Sequence, residues 1–356
     1  MYYPIIKNKL NELKGINAVN LTQQFIPIFE LIDNKFDNLE KIFDSFTSKV
    51  DTLLKNRSVY IDIPTYLNNN LYKSFNLNNS QSKFDFFKSL ETYFKNKNYK
   101  NFIPIISFNY SHDTDTTNYK ENLRFVRYIT EYFDQFAFRI FSDSSYESND
   151  EYLINSIYSL MGRKLLRASL IIDYEHSEFN KLIPLLKDIS KECKIKTLII
   201  AGEAFNNSIK NKHNAYGCGR IKNIHLSHFN NLKVTIMKYK LAIDTIHYSD
   251  FSLLDKIQHK LEIKQDKGFL YYPFIKFTTE DGNMCMFTAN EKGNYVQYED
   301  LCSVVITNIK TFDPKHCSTC RFIHDIHNQV PSLKFKAGSV WKYRMIAHHI
   351  TALSKL

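Results

Sequence analysis

The sequence predicts an α/β fold that closes into a TIM-like (β/α)8 barrel, followed by a C-terminal β-hairpin and a helical extension. Two observations carry this prediction. Short apolar or β-branched runs alternate with longer segments of helical periodicity, which is typical of repeated βα units and a parallel sheet. After the last of these units, Asp281-Gly282 stands between two apolar runs and predicts a tight hairpin turn.

Eight runs have the composition of barrel strands. They span residues 25–31, 58–63, 102–108, 136–141, 168–173, 196–201, 241–246 and 271–278. Helices are predicted between them at 38–54, 84–94, 119–133, 151–160, 181–193 and 221–231. In the first helical segment, Leu39, Ile42, Phe43 and Phe46 recur at a spacing that gives one buried face.

An open, doubly wound sheet uses the same βα alternation and is the alternative fold. The chain has 9 glycines and no GxGxxG or Walker pattern, which argues against the nucleotide-binding forms of that sheet. Two further helices are predicted at 295–311 and 340–353. Because no linker rich in Pro, Gly or Ser separates them from the barrel, we predict a barrel over 1–280 and an extension over 281–356 that packs on it within the same domain.

Composition restricts the class of protein. Hydrophobic residues make up 44% of the 356 residues, which is enough for a large core. No apolar run is long enough to span a bilayer, and the N-terminal residues lack the apolar stretch of a signal peptide, so we expect a cytoplasmic protein with no membrane partner. The net charge of +10 makes nucleic acid a possible partner, although lysine is interleaved with acidic residues throughout.

Polar residues near the ends of the predicted strands are the candidate binding site, because barrels place their sites at the C-terminal ends of their strands. With basic and imidazole side chains from later segments, the candidate pocket comprises Glu30, Asp62, Asp173, Glu175, Glu203, Arg220, Asp244, Asp250, His348 and His349. Such groups could bind a divalent metal or act as general acid and base, or they could cap helices and bond loop amides. No catalytic residue and no cofactor can be assigned.

Cys317 and Cys320 form a CxxC pair that is followed closely by His324 and His327. Zinc fingers separate their two ligand pairs by about a dozen residues, and these four residues are far more compact. We therefore predict reduced cysteines and no metal site. The adjacent His348 and His349 point about 100° apart on a helix and are not expected to chelate one ion together.

Several segments resemble the Beta-protein family of bacteriophages and bacterial genomes, whose genes often lie near phage-defence genes. They are YYPIIKNKLNEL at 2–13, PIFEL at 27–31, VYIDIP around Asp62, IIDYEH at 171–176, Arg220, HYSDFS and GSVWKYRMIAHH near the end. The sequence departs from the family at Tyr248-Ser249-Asp250, where a Gly-Asp-Tyr-like turn is expected, and at the CxxC segment. The resemblance implies a phage-related or defence-related role and assigns no chemistry.

Three functions follow from these observations. The first is a phage-related or antiphage-defence protein whose barrel binds a small-molecule ligand or a protein partner. The second is a metal-assisted phosphodiesterase or nuclease that uses the strand-end carboxylates. The third is a nucleic-acid-binding protein, for which the basic charge is the sole argument.

Overall fold

A computed structural model gives the fold of the chain. The structure describes residues 1–32, 36, 38–64, 70–107, 116–142, 168–174, 179–192, 194–205, 216, 218–253, 272–330 and 334–356. The predicted helix at 151–160 lies outside these ranges.

Eight parallel strands close into a barrel, as predicted. They are β1 (Tyr2–Lys7), β2 (Ile28–Glu30), β3 (Val59–Asp62), β4 (Phe102–Ser107), β5 (Phe136–Ser142), β6 (Ala168–Tyr174), β7 (Ile195–Gly202) and β9 (Ile243–Asp250). Strand β1 closes the barrel, because Ile5 pairs with Ile28 of β2 while Tyr3 pairs with Ser249 of β9.

The eighth strand was wrongly placed from sequence. The run at 271–278 contributes β10 (Phe274–Thr278), which pairs antiparallel with β11 (Met284–Thr288) outside the barrel. Strand β1 takes the eighth position. Its proline, Pro4, weakens the strand signal, because proline cannot donate a ladder hydrogen bond and is rare inside sheets.

Helices follow the strands of the barrel. They are α2 (Leu39–Thr47), α3 (Asp51–Asn56), α4 (Asn70–Ser74), α5 (Ser80–Asn96), α6 (Thr116–Tyr132), α7 (Phe179–Glu192) and α8 (Ile224–Tyr239), with α1 (Leu10–Asn17) before them in the chain. Asn38 caps α2 by accepting hydrogen bonds from the backbone N–H groups of Glu40 and Lys41. In place of the single helix predicted over 38–54, the structure has two helices, α2 and α3.

A second group of elements surrounds a three-stranded antiparallel sheet. Its strands run in the order β10, β11, β8 (Cys218–Ile221), and the helices are α1, α9 (Tyr298–Asn308), α10 (Ser318–His327) and α11 (Gly338–Leu353). The Asp281-Gly282 turn joins β10 to β11 as predicted, and Gly282 adopts a φ of 76°, which glycine tolerates best.

The core of this group is built on the chain's one tryptophan. Trp341 is fully buried, stacks on Tyr298 with ring centroids 4.5 Å apart, and donates a hydrogen bond from Nε1 to the Phe335 carbonyl oxygen at 2.9 Å. A stacked and hydrogen-bonded indole fixes both the position and the rotation of α11.

The chain forms two compact units that interleave in sequence. The barrel unit holds Met1–Asn8, Ile26–Glu203 and His225–Phe251, and the second unit holds Lys9–Phe25, Ala204–Ile224 and Ser252–Leu356. That the extension belongs to the same domain as the barrel stays a prediction. No helix among the described residues combines the length and apolar character needed to cross a bilayer.

Candidate functional site

The interior of the barrel changes from apolar to charged along its axis. Its middle is filled by inward-facing side chains that form one hydrophobic cluster with Tyr3 and Phe251: Ile5, Ile28, Tyr60, Ile105, Ala137, Ile171 and Ile199. One pleat further toward the C-terminal ends, the strands place Lys7, Glu30, Asp62, Ser107, Arg139 and Asp173. This charged layer lies at the end where barrels bind their ligands.

Arg139 of β5 holds the charged layer together. Its Nη1 donates to Glu30 Oε1 and to Asp62 Oδ2, each at 2.7 Å, and its Nη2 donates to Asp173 Oδ2 at 2.8 Å. None of the four side chains is exposed to solvent. One planar guanidinium thus joins three strand-end carboxylates through charge-assisted hydrogen bonds.

Two more polar side chains complete this layer. Ser107 Oγ donates to Asp62 Oδ1 at 2.5 Å, so both oxygens of Asp62 accept a hydrogen bond. Lys7 Nζ lies 3.9 Å from Glu30 Oε2 and 5.5 Å from the centre of the Phe251 ring. Burial raises the pKa of the Asp62 carboxyl above its usual range, and the charge of Arg139 opposes that shift.

Lys83 brings a further positive charge toward the same carboxylate from helix α5. Its side chain is buried, and its Nζ lies 4.8 Å from the centre of the Phe125 ring. Burial lowers the pKa of Lys83 to about 8, although the negative charge of Asp62 acts in the opposite direction. Charged groups on the surrounding helices, as well as those on the strands, therefore affect the electrostatics of the charged layer.

Of the ten residues predicted for the pocket, three lie together in the charged layer: Glu30, Asp62 and Asp173 all accept hydrogen bonds from Arg139. Asp250 precedes Phe251 and faces the other side of the sheet, where it accepts hydrogen bonds from the hydroxyls of Tyr2 at 2.6 Å and Tyr248 at 3.0 Å.

Asp244 lies near the start of β9, at the N-terminal end of the barrel. There it forms a largely exposed ion pair with Lys194 at 2.8 Å. Its distance from the charged layer follows from its position early in the strand.

The remaining predicted residues fall elsewhere. Glu203 follows β7 and is partly buried, and Glu175 lies outside the described residues. Arg220, His348 and His349 belong to the second unit, where Arg220 forms an exposed ion pair with Asp281 and His349 Nδ1 lies 2.8 Å from Thr278 Oγ1.

The sequence reasoning missed Arg139, Lys7 and Ser107. A usable signal exists for Arg139, which is the one charged residue in the otherwise apolar run FAFRIF. Lys7 likewise ends the apolar run of β1. A charge inside a parallel strand is rare enough to mark a paired, buried position.

One group of side chains with metal-binding potential lies in the second unit. Over the ranges that the structure describes, one group of three or more Cys, His, Asp or Glu side chains brings its donor atoms within 4.8 Å of one another: Cys317, Cys320 and His348. The strand-end carboxylates of the barrel instead have Arg139 between them. A divalent cation at those carboxylates would have to displace the guanidinium.

Fold and site together define a (β/α)8-barrel protein with a buried, arginine-centred charged layer at the C-terminal ends of its strands. The model of the family described as Beta protein matches residues 2–355. The chain therefore belongs to the Beta protein family, as the short sequence segments predicted. Comparison with curated proteins finds no match.

Proposed function

We propose that this chain is a phage-related protein that acts in the conflict between bacteria and phages, and that its barrel binds a polar ligand or a protein partner at the C-terminal ends of its strands. Membership in the Beta protein family supports the phage-related part of the proposal. The charged layer around Arg139 supports the binding part.

The free-energy cost of burying the charged layer supports a binding role. Each charge in the layer lost its hydration on folding, and a buried ion network commonly contributes less stability than well-packed apolar side chains of the same volume. Barrel interiors are usually filled by branched apolar residues, as the middle of this one is. A charged layer at the functional end of the barrel, where an apolar layer would be more stable, is best explained by a polar partner that this layer positions or supports.

The same geometry weighs against the metal-assisted hydrolase. Glu30, Asp62 and Asp173 each accept a hydrogen bond from Arg139, and Ser107 donates to the second oxygen of Asp62. Carboxylates that bind a catalytic metal leave oxygens directed at the ion. Here the guanidinium already neutralises the charge that such an ion would neutralise.

A phage-challenge experiment tests the proposal. Bacteria expressing the wild-type chain are infected with a panel of phages, and plating efficiency is compared with that of cells expressing Asp62→Asn or Asp244→Asn. Both substitutions remove one carboxylate charge from the barrel, but Asp244 lies at the opposite end. We expect an effect of the wild-type chain on plating that Asp62→Asn abolishes and Asp244→Asn keeps, with equal amounts of folded protein.

The proposal would be contradicted if all three chains changed the plating efficiency equally, or if the wild-type chain had no effect on it. The hydrolase alternative is tested on the purified protein with a phosphodiester substrate and Mg²⁺ or Mn²⁺. Metal-dependent turnover by the wild type that is lost in Asp173→Asn would favour the hydrolase over the binding proposal, with the same residues acting in catalysis.

A further inference from the structure

Two cysteines and a histidine meet in the second unit of the protein. Cys317 Sγ lies 3.6 Å from Cys320 Sγ, and His348 Nδ1 lies 3.5 Å from each of the two sulfur atoms. Cys320 and His348 are buried, and Cys317 is partly buried. The three donor atoms form a nearly equilateral triangle.

Local structure directs both thiols to the same point. Cys317 is the N-cap residue of α10, and its Sγ accepts a hydrogen bond from the backbone N–H of Cys320 at 3.4 Å. Because residues three apart lie on one face of a helix, the CxxC spacing brings both sulfurs to the first turn of α10.

His348 is held so that one ring nitrogen faces the sulfurs. Its Nε2 donates to the carbonyl oxygen of Thr278 at 2.8 Å, and the Phe277 ring packs against the imidazole with centroids 4.1 Å apart. With the proton on Nε2, the lone pair of Nδ1 points toward Cys317 and Cys320. Metal-binding histidines are oriented in the same way, by donating their other N–H to a carbonyl or carboxylate.

The distances match those that a tetrahedral zinc ion requires. Zinc binds thiolate sulfur at about 2.3 Å and imidazole nitrogen at about 2.0–2.1 Å. In a tetrahedron these bond lengths separate two sulfurs by about 3.8 Å and a sulfur from a nitrogen by about 3.6 Å. The triangle of Cys317, Cys320 and His348 departs from these values by about 0.2 Å or less, which is within the tolerance for a plausible site.

We propose that Cys317, Cys320 and His348 bind one Zn²⁺ ion that ties the start of α10 to α11 within the second unit. The fourth position is left for a water molecule. His316 lies beside the site, with its ring centroid 5.5 Å from that of His348, but its nitrogens are outside the group of donor atoms that lie within 4.8 Å of one another. The buried Nε2 of His316 has no hydrogen-bond partner among the residues described.

The sequence-based prediction of no metal considered a different set of ligands. His324 bonds to Asn328 in its own helix, and His327 Nδ1 lies 2.9 Å from Ser303 Oγ, so neither joins the two cysteines. His348 comes from a helix that is distant in the sequence. As predicted, the adjacent His349 turns away and meets Thr278 Oγ1 instead.

A dithiol–disulfide pair is the competing role for a CxxC motif at a helix N-terminus. Such a pair needs two sulfurs and an accessible first cysteine, and it does not need an imidazole nitrogen equidistant from both sulfurs. The position of His348 Nδ1 is therefore the observation that favours a metal.

The first test measures zinc by elemental analysis in the full-length protein, purified without a metal-affinity tag and dialysed against Zn²⁺. We expect one zinc per chain in the wild type and in the control His324→Asn/His327→Asn, which removes the two histidines nearest to the CxxC pair in sequence. Cys317→Ser, Cys320→Ser and His348→Asn should lose it. A folded wild-type chain without zinc, or full zinc in His348→Asn, would overturn the proposal.

A second test needs no variant, which matters if the substituted chains fail to fold. Iodoacetamide labelling of the wild type is mapped by mass spectrometry before and after treatment with a chelator. We expect Cys317 and Cys320 to be protected by zinc and labelled after its removal, while the buried Cys285 and Cys302 remain unlabelled in both samples. Chelator-independent labelling, or a Cys317–Cys320 disulfide that a reductant opens in a metal-free protein, would show that the pair is not a zinc site.

Discussion

Arg139 Nη1 lies 2.7 Å from Asp62 Oδ2, and neither side chain has any exposed surface. The same nitrogen also donates to Glu30. Removal of the guanidinium would take the shared ion-pair partner from three buried carboxylates, and this arrangement is far more costly than the original network.

We therefore expect Arg139→Met to lower the free energy of unfolding by about 3–5 kcal/mol, measured by urea denaturation at neutral pH. Arg220→Met is the matched control, because Arg220 forms an exposed ion pair with Asp281 and should cost less than about 1 kcal/mol. Equal effects of the two substitutions would contradict the buried network.

Trp341 should be a major determinant of stability in the second unit. Trp341→Ala removes the stack on Tyr298 and the hydrogen bond to the Phe335 carbonyl, and we expect it to cost about 3–5 kcal/mol. Trp341→Phe keeps part of the stack and should cost less. Val296→Ala in the same unit, where Val296 is 47% exposed, is the control and should change stability by about 0.5 kcal/mol or less.

Gly15 marks the closest approach of α1 to α11. A methyl group at Gly15 would lie 2.8 Å from Ile346 Cγ2 and 3.0 Å from the Tyr343 carbonyl oxygen. Although alanine favours helices by about 1 kcal/mol over glycine, we expect Gly15→Ala to be destabilising, because overpacking costs about 1–3 kcal/mol. In a double-mutant cycle, Ile346→Ala should recover part of that loss; strict additivity would show that the two residues do not meet.

His247 should make the stability of the barrel unit sensitive to acid. Burial, assisted by the charge of Lys233, lowers the pKa of His247 to about 4, whereas the unfolded imidazole titrates near the usual pH of about 6.5. Between pH 4 and 6.5 the unfolded chain binds more protons than the folded chain. The stability that the chain gains by keeping His247 neutral is therefore complete above about pH 6.5 and is lost as the pH falls toward 4.

In His247→Gln, the loss of unfolding free energy between pH 6.5 and 4 should be smaller than in the wild type by about 1–3 kcal/mol. This magnitude allows for the partial exposure of the ring. The measurement is urea denaturation at several pH values. His324→Gln is the control, because the His324 side chain is 43% exposed. A wild-type profile unchanged by His247→Gln would refute the assignment.

The barrel was predictable because its signal is local. Seven of the eight strands were placed from short runs rich in apolar and β-branched residues, which is the composition typical of strands in a parallel sheet. The eighth was missed because closure pairs the first residues of the chain with β9, and no local pattern reports such a distant pairing.

The candidate site was predictable in part for the same reason. Glu30 and Asp62 end their strands and Asp173 is the last residue but one of its strand, so their position at one end of the barrel follows from the fold class. Arg139 lies in mid-strand, and its role depends on the length of a side chain that reaches residues of β2, β3 and β6 from β5. Likewise, nothing in the spacing of the CxxC motif indicates that His348 completes the triangle.

The packing of α1 against α11 has a consequence for synthesis of the chain. Helix α1 is translated long before its partner α11, so the face of α1 around Gly15 stays without its native cover until Tyr343 and Ile346 have emerged from the ribosome. Chaperones that shield apolar segments are then expected to act on this nascent chain for longer than on one with local helix pairs. Ribosome-stalled chains that end before Gly338 should accordingly be cleaved by protease within Leu10–Asn17, and chains released at full length should resist.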